Sequence, residues 1–406
     1  MDYFKILPLE IKLDILTRLP TESALECKSV CTNRRSVVGH PSFSKIHFHH
    51  HLTHHLAAES GELGFLVLTR RRLHYFEYNQ NHDQSKNPIQ SITRINFTPP
   101  FKHFRFVGSI NGLVCLLDNT YNRPRSVWIC NPITRECLML PEIKRDCDSD
   151  GYSYDETSFG YVSSTNEYKI VRFYELETSL EVHIYTLGSG DGWRNLGEFN
   201  YGSESLYLEH GVFFANETLY WLDDELEMIG TFDMAEEKFC QHLAPPPLPP
   251  DTNWILQYTN NLGGFDGFLF FALKDKVDGF NDIWLLKKKN HNPDKEEGEE
   301  HQSLGWRKEF RIDGMKSMDL LAVRKSDGVL TNSDDYINIY DTKTSTCKSL
   351  VKFWSCIAQV SPHKNTLVSF KELGEKDIKV MESAEIEETK SSEQLQEDAD
   401  AEYIYL

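Results

Sequence analysis

The stretch HFHHHLTHH, at 47–55, gathers the residues of this 406-residue chain best suited to metal chemistry. His47 with His51, and His51 with His55, are spaced i,i+4, so on a helix each pair would share a face and could converge on zinc. No cysteine or carboxylate nearby completes a set, and a lone histidine cluster reads first as solvated or packed side chains. Cys27 and Cys31 could be taken for ligands or redox thiols, yet small buried residues at a helix interface explain them better. The sequence holds no G-x-S-x-G, no H-E-x-x-H, no P-loop and no G-x-G-x-x-G. A protein that binds, with no metal, no cofactor and no catalytic residues of its own, is therefore expected.

Elements able to do the binding begin at once, with LPLEIKLDILTRLP at 7–20. Pro8 suits a first helical position and Pro20 stops the helix. At 100° per residue Leu9, Leu13 and Leu16 form one apolar stripe, and Ile11, Ile15 and Leu19 form a second. A surface helix of a globular domain usually carries one stripe, so two stripes call for two partners. Thr21 is a candidate cap for a second helix to Lys28, and Ser29 for a third from Val30 to Val38. Three short helices in about 40 residues rarely bury enough surface to fold alone. Ile46, Phe48, Leu52 and Leu56 give the histidine-rich segment an apolar edge, so it is expected to pack rather than hang loose.

Charge and cysteine usage narrow the class. The net charge of −19 argues against coating nucleic acid or an anionic membrane. No run of eighteen apolar residues occurs, and no apolar h-region marks a secretory signal. Nine cysteines without a C-x-x-C pair fit reduced thiols in the cytoplasm or nucleus, where the sequons at Asn96 and Asn216 would have no role. From Lys371 to Leu406, twelve acidic residues face four basic ones, and the composition is too poor in apolar residues to order itself.

From about residue 61 the pattern turns to short apolar and aromatic runs separated by Gly, Asn and Asp, with Asn111-Gly112 and Asp266-Gly267 as hairpin dipeptides. VWICNPITRECLMLP, VHIYTLGSGDGWRNLG, IGTFDMAEEKFCQHL and INIYDTKTSTCKSL each give a strand, a polar turn and a bulky residue. Asn131, Thr186, Asp233, Leu286 and Asp341 serve as equivalent points, and a further step back reaches HYFEYN near Asn79. Spacings of about 50 residues with four strands per unit point to propeller blades, six of them; a sandwich plus a second β domain is the competing arrangement. PPPLPP at 245–250 falls where one blade would pass to the next and reads as a stiff connection rather than a ligand for SH3-type domains.

Leu7-Pro8, Glu10-Ile11, Ile15-Leu16, Arg18-Leu19-Pro20, Leu25, Cys27 and Val30-Cys31 resemble the F-box in order and spacing, with Arg34 standing where that family usually carries tryptophan. GSINGLVCL (108–116), ICNPITRECLMLP (129–141), FGYVSSTNEYKIV (159–171), ETLYWL (217–222), IGTFDMAEEKF (229–239), NDIWLL (281–286) and YDTKT (340–344) resemble the plant F-box-associated region, a degenerate kelch-like propeller. The resemblance implies an α+β multidomain chain: a three-helix F-box at 1–45, a His-rich linker at 46–60, a six-bladed propeller at 61–370 and an acidic, disordered tail at 371–406. It further implies binding of a Skp-type adaptor, and through it cullin and RING subunits of an SCF ubiquitin ligase, while the propeller holds a protein substrate. Leu7, Pro8, Ile11, Ile15, Leu16, Leu25 and Val30 are the expected adaptor contacts. A scaffold that uses the same adaptor without delivering a client is the alternative, and a propeller enzyme or lectin has only fold analogy behind it.

Overall fold

The computed structural model of the chain describes residues 3–57, 62–69, 73–79, 89–95, 104–118, 125–144, 154–176, 179–200, 208, 211–222, 228–247, 258–265, 268–275, 279–288, 304–313, 319–323, 328–353 and 355–381. A 3₁₀ turn, Tyr3–Ile6, precedes α1 (Leu9–Thr17), α2 (Thr21–Val30), α3 (Thr32–Val38) and α4 (Phe43–Ala57). Pro8 and Pro20, at φ −56° and −51°, sit immediately before α1 and α2, where a missing N–H costs nothing. Two expected caps are corrected. Thr21 is the first residue of α2 and gives no side-chain cap, and Ser29 lies inside α2, which ends where Cys31 turns extended. The histidine-rich segment is the body of α4. Its inward position is held by Phe43 and His47, whereas Ile46 is exposed; the side chains of Leu52 and Leu56 lie outside the described residues. None of the helices described is long and apolar enough to cross a membrane.

Six antiparallel sheets follow, the blades of a β-propeller. Blade 2 is built from β4 (Phe104–Ile110), β5 (Leu113–Asp118), β6 (Val127–Asn131) and β7 (Glu136–Met139). Blade 3 takes β8 (Asp155–Val162), β9 (Glu167–Glu175), β10 (Ser179–Thr186) and β11 (Trp193–Asn200). Blade 4 is the smallest, with β12 (Phe213–Ala215), β13 (Thr218–Leu222), β14 (Ile229–Asp233) and β15 (Lys238–Phe239). Blade 5 has β16 (Tyr258–Phe265), β17 (Phe268–Asp275), β18 (Phe280–Lys288) and β19 (Leu304–Asp313). Blade 6 has β20 (Asp319–Val323), β21 (Gly328–Ser333), β22 (Tyr336–Asp341) and β23 (Thr346–Lys352). Blade 1 joins β1 (Glu62–Thr69), β2 (Leu73–Asn79) and β3 (Ile89–Ile95) to β24 (Ile357–Pro362) from the far end of the chain. Every residue of β6 and β8 is buried, as expected of strands covered on both faces.

The repeat read from the sequence lands on equivalent places. Asn131, Thr186, Asp233 and Asp341 end the third strands of blades 2, 3, 4 and 6; Asn79 ends that of blade 1, and Leu286 lies in that of blade 5. In blades 2, 4 and 6 the reason is a shared turn. Asn131 Oδ1 accepts from the amides of Ile133 and Thr134, Asp233 Oδ1 from Ala235 and Glu236, and Asp341 Oδ1 from Lys343 and Thr344, all at 2.8–3.2 Å. Four residues on, Arg135, Glu237 and Ser345 each take a positive φ of 52–63°, which closes the hairpin. Asp266-Gly267 lies outside the described residues. Asn111-Gly112, with φ of 51° and 80°, makes the hairpin between β4 and β5.

The molecule divides into two compact units. One comprises Arg145–Thr186 and Trp193–Ile357, essentially blades 3 to 6. Its core is aromatic and aliphatic: Phe173, Trp221, Phe232 and Met234 with the β10 residues Leu180, Val182 and Ile184 in one cluster, and Leu262, Leu269 and Phe271 with Tyr220 and Leu222 in the next. Buried charge is paired there, with Arg172 donating to Asp155 at 2.7 Å. The other comprises Met1–Lys144, Leu187–Gly192 and Ala358–Leu406: the helices, blades 1 and 2, and the end of the chain.

Residues 363–381 of this second unit form a strap. It carries α5 (Phe370–Leu373) and then β25 (Ile378–Val380), which pairs antiparallel with β7 as a fifth strand of blade 2. Helix and strand are therefore found within 371–381, residues that composition assigned to the tail beyond a boundary at 371. Composition could not show this, because Leu367, Val368 and Phe370 are buried and supply the apolar anchor just ahead of that boundary.

Candidate functional site

The helical module packs around Leu13, Leu16, Ala24, Val37 and Phe43, and Leu367 of the strap completes this cluster. Burying a leucine side chain contributes roughly 2 kcal/mol, so the module borrows a substantial part of its core from the other end of the chain. His47, 2% exposed, shares a 2.9 Å hydrogen bond through Nε2 with the Leu19 carbonyl and stacks on Phe43, and so closes the end of α1. That use is structural. Among the described residues no group of three His, Cys, Asp or Glu side chains is placed to hold a metal, and the side chains of His51 and His55 lie outside the described residues. Cys27 packs against the same cluster, and Cys27 and Cys31 are both free thiols.

The two stripes of α1 part company. Leu13 and Leu16 face the core, whereas Ile11 and Ile15 are 46% and 42% exposed. Val30, at the end of α2, is 63% exposed, Pro8 is exposed, and Leu7 and Leu25 are half-buried. Of the seven residues read from the sequence, Leu16, 4% exposed, lies in the core and supports the face from beneath. Helical periodicity alone gives two stripes and cannot say which one points inward. Three exposed apolar residues escaped the sequence reading: Tyr3 and Ile6 on the 3₁₀ turn, and Leu9, which periodicity had grouped with the core stripe.

The 3₁₀ turn is held in place. Lys12 Nζ donates to the Lys5 carbonyl at 3.0 Å. The Arg34 guanidinium lies 5.5 Å from the centre of the Phe4 ring, and Lys12 Nζ lies 5.9 Å from it. Phe4 also packs against the module's core. An aromatic ring is thus present beside Arg34, contributed by Phe4 from the turn ahead of α1, and a cation over such a ring contributes on the order of 1 kcal/mol. Asp14 and Arg18 pair at i,i+4 on the solvent side of α1, at 2.9 Å. The result is an ordered apolar face with charge at one margin, suited to another protein rather than to a small molecule.

Comparison with known proteins agrees with this architecture. A family model described as the F-box associated beta propeller domain matches residues 62–350. "F-box protein At3g07870" of Arabidopsis thaliana is 27% identical over 318 residues, covering 69% of this chain and 69% of that protein. "F-box/kelch-repeat protein At3g23880" of the same plant is 25% identical over 295 residues, covering 69% of this chain and 75% of that one. Among solved structures, a chain of the nidogen/laminin complex aligns at 13% identity and a TM-score of 0.40, covering 75% of this chain and all of that one, a likeness too slight to carry an argument. With six antiparallel blades, three of them carrying the same side-chain-held turn, and the family match over residues 62–350, this chain belongs to the F-box-associated β-propeller family.

Proposed function

We propose that the chain is the substrate-recognition subunit of an SCF-type ubiquitin ligase. Its helical module holds a Skp-type adaptor, and through it cullin and RING subunits, while the propeller holds a protein client. The observation that supports this most is the exposed set Ile11, Ile15 and Val30 on helices whose core is otherwise filled. Each is about half uncovered, so a partner that buried them would gain on the order of 1 kcal/mol per residue. The contribution to chemistry is proximity: the chain brings a client lysine near a ubiquitin thioester carried by another subunit. Adaptor contacts fall on Leu7, Pro8, Ile11, Ile15, Leu25 and Val30 in this reading, with Leu16 as support, and the setting is the cytoplasm or nucleus.

Arg34, in place of the family's usual tryptophan, and the acidic tail are the sequence features behind the alternative of a scaffold that delivers no client; Arg34 packs on Phe4. The experiment is co-expression of the full chain with a Skp-type adaptor, followed by turnover measurements on proteins captured by the propeller, with and without cullin activity. A stable complex and cullin-dependent turnover are expected. Failure to form the complex overturns the adaptor assignment, and unchanged turnover overturns the ligase role.

A further inference from the structure

The strap reaches every part of its unit. From the helices, Thr21 Oγ1 donates to the Asn365 carbonyl at 3.0 Å, and Ser44 Oγ donates to Glu372. From blade 1, the Gly64 carbonyl accepts from the His363 amide at 2.8 Å. In blade 2, Glu136 accepts from Ser369 Oγ at 2.9 Å and from the Phe370 amide at 3.0 Å. On the loop after β10, the Gly188 amide donates to Glu375 at 2.8 Å. Gly112, at positive φ, lies so close to the Lys364 carbonyl and the Thr366 side chain that no Cβ would fit between them. Leu367 then enters the core of the helices.

One residue ties the propeller's repeat to this strap. Asn131 occupies the position that Asp233 and Asp341 hold in blades 4 and 6, and all three use Oδ1 to hold the following turn. Asn131 alone among them has an amide nitrogen to spare. Its Nδ2 donates to the carbonyls of Thr366, at 3.1 Å, and Val368, at 2.8 Å, on either side of Leu367. The side chain is fully buried with all of these bonds made. An aspartate here would keep the turn and lose both donors, because a carboxylate only accepts.

We infer that the strap is a clamp that fixes the helical module on blades 1 and 2, with Asn131 as its catch. Without it, the module would lose Leu367 from its core and its fixed seat, and β25 would leave β7, while the other strands of the unit kept their own ladders. The consequence for the ligase rests on the proposed function. A clamped module presents adaptor and cullin in one direction, so client lysines within a narrow zone are modified. An unclamped one spreads modification over more lysines.

The clamp is tested on the full chain by hydrogen exchange, which needs no adaptor and so separates it from the functional reading. Asn131→Asp should accelerate exchange more than about tenfold in both 363–380 and α1–α4, since two buried carbonyls lose their donors. The strands of blades 3 to 6 should be unaffected, and Asp233→Asn should change nothing in either segment. A strap that loosens while the helices keep their protection would overturn the clamp, as would no change in either. Should Asn131→Asp disturb blades 3 to 6 as well, a Ser44→Cys/Glu372→Cys pair in the otherwise native chain decides. Ready oxidative crosslinking with helix protection retained supports the clamp, and failure to crosslink overturns it. In the reconstituted ligase, Asn131→Asp should leave adaptor affinity unchanged and widen the set of modified lysines. An unchanged set would remove the functional consequence.

Discussion

In blades 3 and 4, Phe173, Trp221 and Phe232 are fully buried, and Phe173 and Phe232 lie edge to face with ring centres 5.9 Å apart. In the helical module the corresponding investment of apolar surface is split. Leu13, Leu16 and Phe43 are inside, while Ile11, Ile15 and Val30 remain open. A blade meets its neighbours face to face, so its strands bury residues on both sides. A helix of nine residues with two stripes has one neighbour too few within this chain. The difference teaches where each region finds its cover: the blades bury both faces within the propeller, whereas the helices lean on the strap and leave Ile11, Ile15 and Val30 open.

The largest effect expected from breaking this contrast is Trp221→Ala. It removes a fully buried ring shared with Phe173 and Phe239, at a cost of about 3–5 kcal/mol, measured as a fall in the denaturant midpoint of the blade unit. Next comes acid. His363 is 4% exposed, and burial lowers its pKa from 6.5 to about 4 although its bond to Asn365 opposes the shift. Its ring is neutral in the folded chain, bonded to Ser109 at 2.6 Å and Asn365 at 3.1 Å. Unfolding frees it to take a proton, so the stability it contributes is complete above pH 6.5 and is lost as pH falls toward 4. The whole span amounts to about 3 kcal/mol. His363→Gln should flatten that part of the stability–pH curve, and an unchanged slope would show that other groups govern it. Leu367→Ala follows, at about 2–3 kcal/mol, read as lost protection in the helices without a matching loss in blades 3 to 6.

How much of this was visible beforehand follows from the range of the interactions. The blade repeat was legible because its signal is local: an apolar strand followed by an Asn or Asp that bonds amides two and three residues on. The two faces of α1 were legible as faces, since spacing fixes angle, but not as inside and outside. Leu16 was assigned outward for that reason. The strap was illegible. Asn131 bonds residues 235 and 237 positions away, and Thr21 one 344 away, so no window of sequence contains both partners. The partner of His47 was hidden in the same way, because the Leu19 carbonyl that it meets lies 28 residues back.

The central claim is that the open face of α1 exists for an adaptor and not for the fold. Ile11→Asp with Ile15→Asp tests it most directly, because both side chains are exposed and such substitutions usually shift stability by less than about 0.5 kcal/mol each. The measurement is calorimetric titration of a Skp-type adaptor into the full chain and into the double variant, with thermal midpoints recorded for both. The account predicts similar midpoints and adaptor affinity weakened by about 100-fold or more, as when the centre of an apolar interface is charged. Equal affinity in the two proteins would contradict it.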